Sequence, residues 1–140
     1  MDKYEALKLK NQICFPLYAA SRQVVKKYRP LLKKLDLTYT QYITLLALWE
    51  YEKLSVKELG EMLYLDSGTL TPLLKSLEKK GFLSRKRSNE DERFLEVTIT
   101  DKGLKLRDAA LNVPSEIAGC MDLSESEAIN LYNILYKIIG

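Results

Sequence analysis

The segment from Ser55 to Thr100 constrains the fold more than any other part of the chain. "LSVKELGEMLYL" carries Ser55 with Glu58 three residues on, a spacing at which hydroxyl and carboxylate reciprocally satisfy the free N–H groups of a helix start, so a short helix is expected. A brief polar turn, "LDSGT", leads into "LTPLLKSLEKKGFL". There Leu70, Leu73, Leu74 and Leu77 form one apolar stripe, and Gly81 stands where a helix ends in the left-handed region. Pro72 is tolerable only near the start of that helix, because proline lacks the backbone donor an interior position uses. The period then changes. In "FLSRKRSNEDERFLEVTIT" the residues Leu95, Val97 and Ile99 alternate, which predicts a two-stranded hairpin with strands near Leu83 to Lys86 and Phe94 to Thr100 around a polar tip. Two short helices joined by a tight turn and followed by a hairpin make a winged helix-turn-helix.

The flanks read as helices. From about Leu7 to Leu35, Leu7, Ile13, Leu17, Ala20, Val24 and Leu31 recur at helical spacing, giving one long helix or two joined near Pro16, with a kink or restart at Pro30. "DLTYTQYITLLALWEYE" has Thr38 as N-cap and an apolar body suited to a buried helix. Thr100 caps "DKGLKLRDAALNVPSEIAGCM", interrupted around Pro114, and Ser124 with Glu127 opens a final helix, "SESEAINLYNILYKII". The expected fold is mainly α with a small β-wing, one domain over residues 1–140. Dimerisation helices at about 1–35 and 103–140 flank a DNA-binding winged helix at about 38–100, with the helix-turn-helix near 55–80 and the wing near 83–100.

Composition removes several chemistries. With two cysteines and no histidine, neither a four-ligand Cys/His zinc site nor Cys-His or Ser-His nucleophilic catalysis is available, and no cofactor or metal is expected. No run approaches the roughly 18 apolar residues of a membrane span, and "MDKYEALKLK" lacks the order of a secretory signal, so a cytoplasmic protein with reduced thiols and no membrane partner is expected.

Net charge is only +3, so the placement of charge matters more than its sum. Lys75, Lys79, Lys80, Arg85, Lys86 and Arg87 fall in one short segment, with Arg93 on the other arm of the hairpin. The hairpin can touch phosphate or a narrow minor groove while the second helix occupies the major groove. At that helix's start Ser67, Thr69 and Thr71 are small hydrogen-bonding groups able to reach base edges or phosphates, with Lys75 within two turns of them. One copy gives few contacts, so a homodimer on double-stranded DNA of two-fold symmetry is expected, its apolar end helices serving as the interface.

With "LYLDSGTLTPLLKSLEKKGFLSRKRSNEDERFLEVTITDKG" at its centre, the chain resembles the MarR family of transcriptional repressors over essentially its whole length. The "DER" of Asp91, Glu92 and Arg93, followed by "VTIT", matches the family's wing motif, which implies that Asp91 steadies the wing and Arg93 enters the minor groove. "NQICFPLYAASR", "YRPLL" and "LTYTQYITLLALWE" are more specific: they resemble the organic-hydroperoxide sensors of the OhrR type, whose reactive cysteine lies in an NQ-x-CF context.

That resemblance makes Cys14 the redox centre, with Tyr28 and Tyr39 as the phenols that hold its thiolate. Only a thiolate attacks peroxide, and without histidine its donors must be of another kind. Residues 14 and 28 lie on nearly the same face of one helix but about 21 Å apart at roughly 1.5 Å per residue, so Tyr28 would reach Cys14 only from an antiparallel partner subunit. Attack on an organic hydroperoxide would give a sulfenic acid and break the phenol bonds. Phe15, Leu17 and Ile43 would favour alkyl or lipid hydroperoxides. Two-cysteine relatives carry a resolving cysteine in a late helix, so the resemblance implies an intersubunit disulfide from Cys14 to Cys120, against the alternative of a buried inert Cys120. Pro16 departs from the family's unbroken apolar run, so the helix either kinks beside Cys14 or starts near it. Three other readings remain: a broader thiol-based redox regulator of the same family, a MarR-type repressor that answers a phenolic ligand, and a thiol peroxidase.

Overall fold

The computed structural model describes residues 2–91 and 94–140, so the expected contact of Arg93 lies outside the described residues. The chain forms two compact units: a central one, Tyr28–Leu111, and one built from both ends, Met1–Lys27 with Asn112–Gly140. No helix of the described residues is long and apolar enough to cross a membrane.

Helix α1 (Cys14–Lys33) is common to both units. It does not begin at Leu7. Before it stand two 3-10 turns, Glu5–Leu7 and Leu9–Asn11, and Gln12 is extended (φ −94°, ψ 121°). Pro16 therefore falls in the first turn, where a missing N–H costs no helical bond. The helix runs through Pro30 to Lys33, so the restart considered there does not occur, and Leu32 in its last turn is buried.

The central unit continues with α2 (Tyr39–Tyr51), β1 (Lys53–Ser55), α3 (Val56–Leu63), α4 (Ser67–Lys79), β2 (Leu83–Arg87), β3 (Leu95–Ile99) and α5 (Asp101–Ala109). Its core is Leu45, Leu48, Leu59, Leu70, Leu74, Leu77, Leu83 and Val97, all essentially inaccessible. Both expected caps form: Thr38 and Ser55 each accept the N3 backbone N–H, while Gln41 and Glu58 reach back to the cap. The sheet has three antiparallel strands in the order β1-β3-β2, one more than the expected hairpin. Leu54 of β1 pairs with Val97, and Leu83 of β2 with Ile99, so the buried alternation on β3 packs toward the helices. A three-residue strand carries no readable period, and its Ser55 also caps α3.

Helix α4 begins earlier than its leucine stripe suggests. Asp66 accepts the Thr69 N–H at 2.7 Å, so the residues read as a turn already belong to the helix. Pro72 consequently lies in the second turn rather than the first, leaving the carbonyl of exposed Gly68 without its helical donor. At the other end Gly81 adopts φ +85°, the left-handed stop expected from the sequence. Helix α5 approaches the wing base very closely. A Cβ on Gly103 would stand 2.2 Å from the Phe82 carbonyl oxygen, and the Gly103 carbonyl accepts the Trp49 indole N–H at 2.8 Å.

The end-derived unit holds the start of α1 with α6 (Val113–Cys120) and α7 (Glu125–Ile139). The interruption falls just before Pro114, which sits at the start of α6, and Ser124 with Glu127 closes the expected capping box on α7. No residue of α7 is buried in the single chain, and Ile129, Tyr132, Ile134 and Ile138 are more than half exposed. Apolar surface on this scale marks an interaction face.

Candidate functional site

On α4 the leucines face the core, leaving Ser67, Thr69, Thr71 and Lys75 exposed as the sequence anticipates. Thr69 is partly committed: its N–H and hydroxyl both bond Asp66, and with the Gly68 N–H they hold that carboxyl below the usual range. Ser67, Thr71 and Lys75 carry the outward-facing polar groups of the helix.

The wing residues do not behave alike. Lys86 is exposed, across the ladder from Glu96, which also pairs with Lys53 at 2.9 Å. Arg85 is instead held by Glu78 of α4: its Nε and Nη2 donate to Oε1 at 3.3 and 3.0 Å, and its backbone N–H donates to Oε2 at 2.9 Å. Those bonds keep the Glu78 carboxyl below the usual range. An arginine expected on DNA is thus engaged in fixing the wing to α4. The acidic residue responsible was missed because Glu78 reads as one more charge on a lysine-rich helix end. At the tip, half-buried Asp91 gives its carbonyl to the Phe94 N–H at 3.0 Å, and Ser88 N–H reaches the Phe94 carbonyl at 2.8 Å.

Tyr28 and Tyr39 lie against each other, with ring centroids 4.8 Å apart. Tyr42 joins them, 5.8 Å from Tyr28, and continues the cluster to Trp49 at 6.4 Å. Burial, then the neighbouring phenols Tyr39 and Tyr42, push Tyr28 up to about 12. Tyr39 and Tyr42 are raised as well, chiefly by burial. All three are therefore neutral hydrogen-bond donors at physiological pH. Tyr42, unrecognised from the sequence, lies three residues after Tyr39 on the same helix face.

Cys14 is the first residue of α1 and is exposed, beside the unpaired N–H groups of a helix start. The "NQ" before it has a structural task. Asn11 Nδ2 donates to the Glu5 carbonyl at 2.7 Å, and Gln12 Nε2 donates to the Ala6 and Lys8 carbonyls at 2.7 and 2.9 Å, folding the N-terminal turns up to the thiol. Cys120 closes α6 and is exposed rather than buried. Its carbonyl accepts Lys27 Nζ at 2.8 Å. Lys27 stands about 20 Å along α1 from Cys14, and a lysine reaches only about 6 Å, so the Cα atoms of Cys14 and Cys120 are at least about 8 Å apart in one chain. That exceeds the roughly 7 Å limit for a disulfide without backbone movement. Among the described residues no group of Cys, Asp and Glu could hold a metal ion.

The SarA/Rot transcriptional regulator family matches residues 26–110. The organic hydroperoxide resistance transcriptional regulator of Bacillus subtilis is 49% identical over 138 residues, 99% of this chain and 94% of its own. Reduced AbfR bound to DNA superposes with a TM-score of 0.82 at 35% identity, covering 98% of this chain and 94% of that one. The disulfide form of AbfR gives 0.69 at 36% identity, covering 99% and 97%. The chain belongs to the SarA/Rot family of transcriptional regulators and is similar over nearly its whole length to the organic hydroperoxide resistance regulator of Bacillus subtilis.

Proposed function

We propose that this chain is a cytoplasmic, homodimeric repressor that leaves two-fold symmetric operator DNA when an organic hydroperoxide oxidises Cys14. The observation that carries the reading is an exposed thiol at a helix start in a chain that also holds two neutral phenols against each other and is 49% identical to an organic hydroperoxide resistance regulator. The end-derived unit supplies the dimer interface, burying the apolar face of α7. Each central unit presents Ser67, Thr71 and Lys75 to the major groove and Lys86 with Arg93 to the flanking backbone and minor groove, while Asp91 steadies the tip. Thr69, whose N–H is held by the capping Asp66, touches a phosphate.

In the reduced dimer Tyr28 and Tyr39 of the partner subunit donate to the Cys14 thiolate. The thiolate attacks the distal oxygen of the hydroperoxide; the O–O bond breaks, an S–O bond forms, and the alkoxide takes a proton and leaves as the alcohol. Cys120 of the partner then attacks the sulfenic sulfur as a thiolate, forming the disulfide and displacing hydroxide, which leaves as water. The distance between the two cysteines within one chain supports a bond between subunits rather than within one. Each event is a single stoichiometric oxidation, not turnover.

The test is binding of wild type, Cys14→Ser and Cys120→Ser to a duplex selected by the reduced protein from a random pool, before and after cumene hydroperoxide, alongside a non-reducing gel. Release is expected for wild type and abolished in Cys14→Ser, and a covalent dimer is expected for wild type alone. Equal release of wild type and Cys14→Ser would transfer the signal to a bound ligand and sink the thiol reading.

A further inference from the structure

The first turn of α2 faces two ways. Tyr39 and Tyr42 turn toward Tyr28, whereas Gln41, two residues from Tyr39 and so about 200° around the helix, points into α4. Gln41 is 6% exposed and both the nitrogen and the oxygen of its amide are bonded. Its Nε2 donates to Ser76 Oγ at 3.0 Å; its Oε1 accepts the Thr38 N–H at 3.0 Å and Lys80 Nζ at 3.1 Å. Ser76 passes its own proton to the Leu73 carbonyl at 2.7 Å, and Lys80 also binds the Asp36 carbonyl. Ser76 and Lys80 belong to the end of the DNA-reading helix, so one buried amide joins the cap of the phenol-bearing helix to α4.

We propose that Gln41 is the positioning residue through which the state of the phenol cluster sets the orientation of the reading helix. This rests on the proposed oxidation of Cys14, since it concerns how that signal is transmitted. The physical basis is the cost of leaving a buried amide half satisfied: if the turn bearing Tyr39 shifts, Ser76 and Lys80 must either follow Gln41 or leave its oxygen and nitrogen unpaired away from water. Following is the cheaper course, and it moves α4. An apolar residue at 41 would pack the same space without imposing register on its neighbours. The link would slip.

Ser76 gives the cleaner test, because it is half-buried, makes no expected DNA contact, and alanine suits a helix interior. The quantity to measure is the ratio of duplex dissociation constants after and before one equivalent of cumene hydroperoxide, for wild type, Ser76→Ala, Ser76→Thr and Gln41→Leu. Cys14 oxidation is followed in parallel by mass spectrometry. Ser76→Ala and Gln41→Leu are expected to bind as reduced proteins within threefold of wild type and to oxidise as fully, yet to lose at least tenfold of the ratio. Ser76→Thr, which keeps the hydroxyl, restores it. A merely structural role would weaken both states alike and leave the ratio intact, and that result in Ser76→Ala overturns the proposal even if Gln41→Leu fails to fold. Failure of the underlying reading looks different: wild type itself then shows no oxidant-dependent ratio, and both proposals fall together.

Discussion

Replacing Arg85 by methionine separates a wing arginine that binds DNA from one that holds the wing. The substitution keeps the aliphatic stem and removes the two side-chain bonds to Glu78, leaving the Arg85 backbone N–H on Oε2. Glu78 is 37% and Arg85 18% exposed at the side chain, so these are partly screened charge-assisted bonds worth together about 1–2 kcal/mol. Because Arg85 holds the Glu78 carboxyl below its ordinary range, that stabilisation is complete above the ordinary carboxylate pKa and fades as pH falls through the lowered one. The variant should therefore lose stability at neutral pH and lose less than wild type on acidification below about pH 4.5. Duplex affinity should drop because the wing is no longer braced against α4, while the slope of log K against log salt stays put. Lys86→Met, by contrast, should reduce that slope by about 0.9, the share of one phosphate neutralised on B-form DNA. The assay is fluorescence anisotropy over a salt series. If Arg85→Met flattens the slope as much as Lys86→Met does, Arg85 leaves Glu78 for a phosphate and the brace is the wrong account.

Gly103→Ala should destabilise the central unit by about 3 kcal/mol or more in chemical unfolding, because the added carbon meets a backbone carbonyl rather than a yielding side chain; a loss under about 1 kcal/mol would refute the close approach. Alkaline titration at 295 nm should show a phenol ionising near pH 12, and stability should fall as pH rises from about 10, where an unfolded tyrosine ionises, through about 12, where folded Tyr28 does. Tyr39→Phe should bring that late phase down only in part, since burial remains its main cause. Peroxide-treated Cys120→Ser should run as monomer under denaturing, non-reducing conditions; a persistent covalent dimer would point to a Cys14 to Cys14 bond instead.

What the sequence made legible was whatever one helix or one strand decides alone. Thr38 with Gln41, Ser55 with Glu58 and Ser124 with Glu127 act within four residues, so their spacing suffices to place three helix starts. Gly81 and the alternation of β3 are equally local. Partners brought together by tertiary packing were not visible: β1 is strand only because β3 lies beside it, and nothing in the spacing of Glu78 and Arg85 announces the bonds that join them. Gln41 shows both sides of this division. Its capping role can be read from Thr38, but its bonds to Ser76 and Lys80, 35 and 39 residues away, depend on how α2 meets α4.

Pro16 belongs with the local signals, although it reads at first as a fault beside the thiol. A proline three or more residues inside a helix would leave a carbonyl unpaired and push its ring against the preceding turn. The strain disappears if the helix starts no earlier than about two residues before it, which is where Cys14 stands. Gln12 is extended and its side chain is bonded back to Ala6 and Lys8, so the chain is diverted before Ile13 and α1 has no turn in which to continue toward the N-terminus. Two independent devices, a proline that penalises earlier helix and an amide that holds the incoming turns, therefore fix the cysteine at the helix start. Unpaired N–H groups and solvent access coincide at that position, the arrangement the proposed reaction with a hydroperoxide calls for. Shifting the start by one turn would put the sulfur in mid-helix, paired and withdrawn from those groups. The proline that seemed to disturb the site is thus one of the residues that defines it.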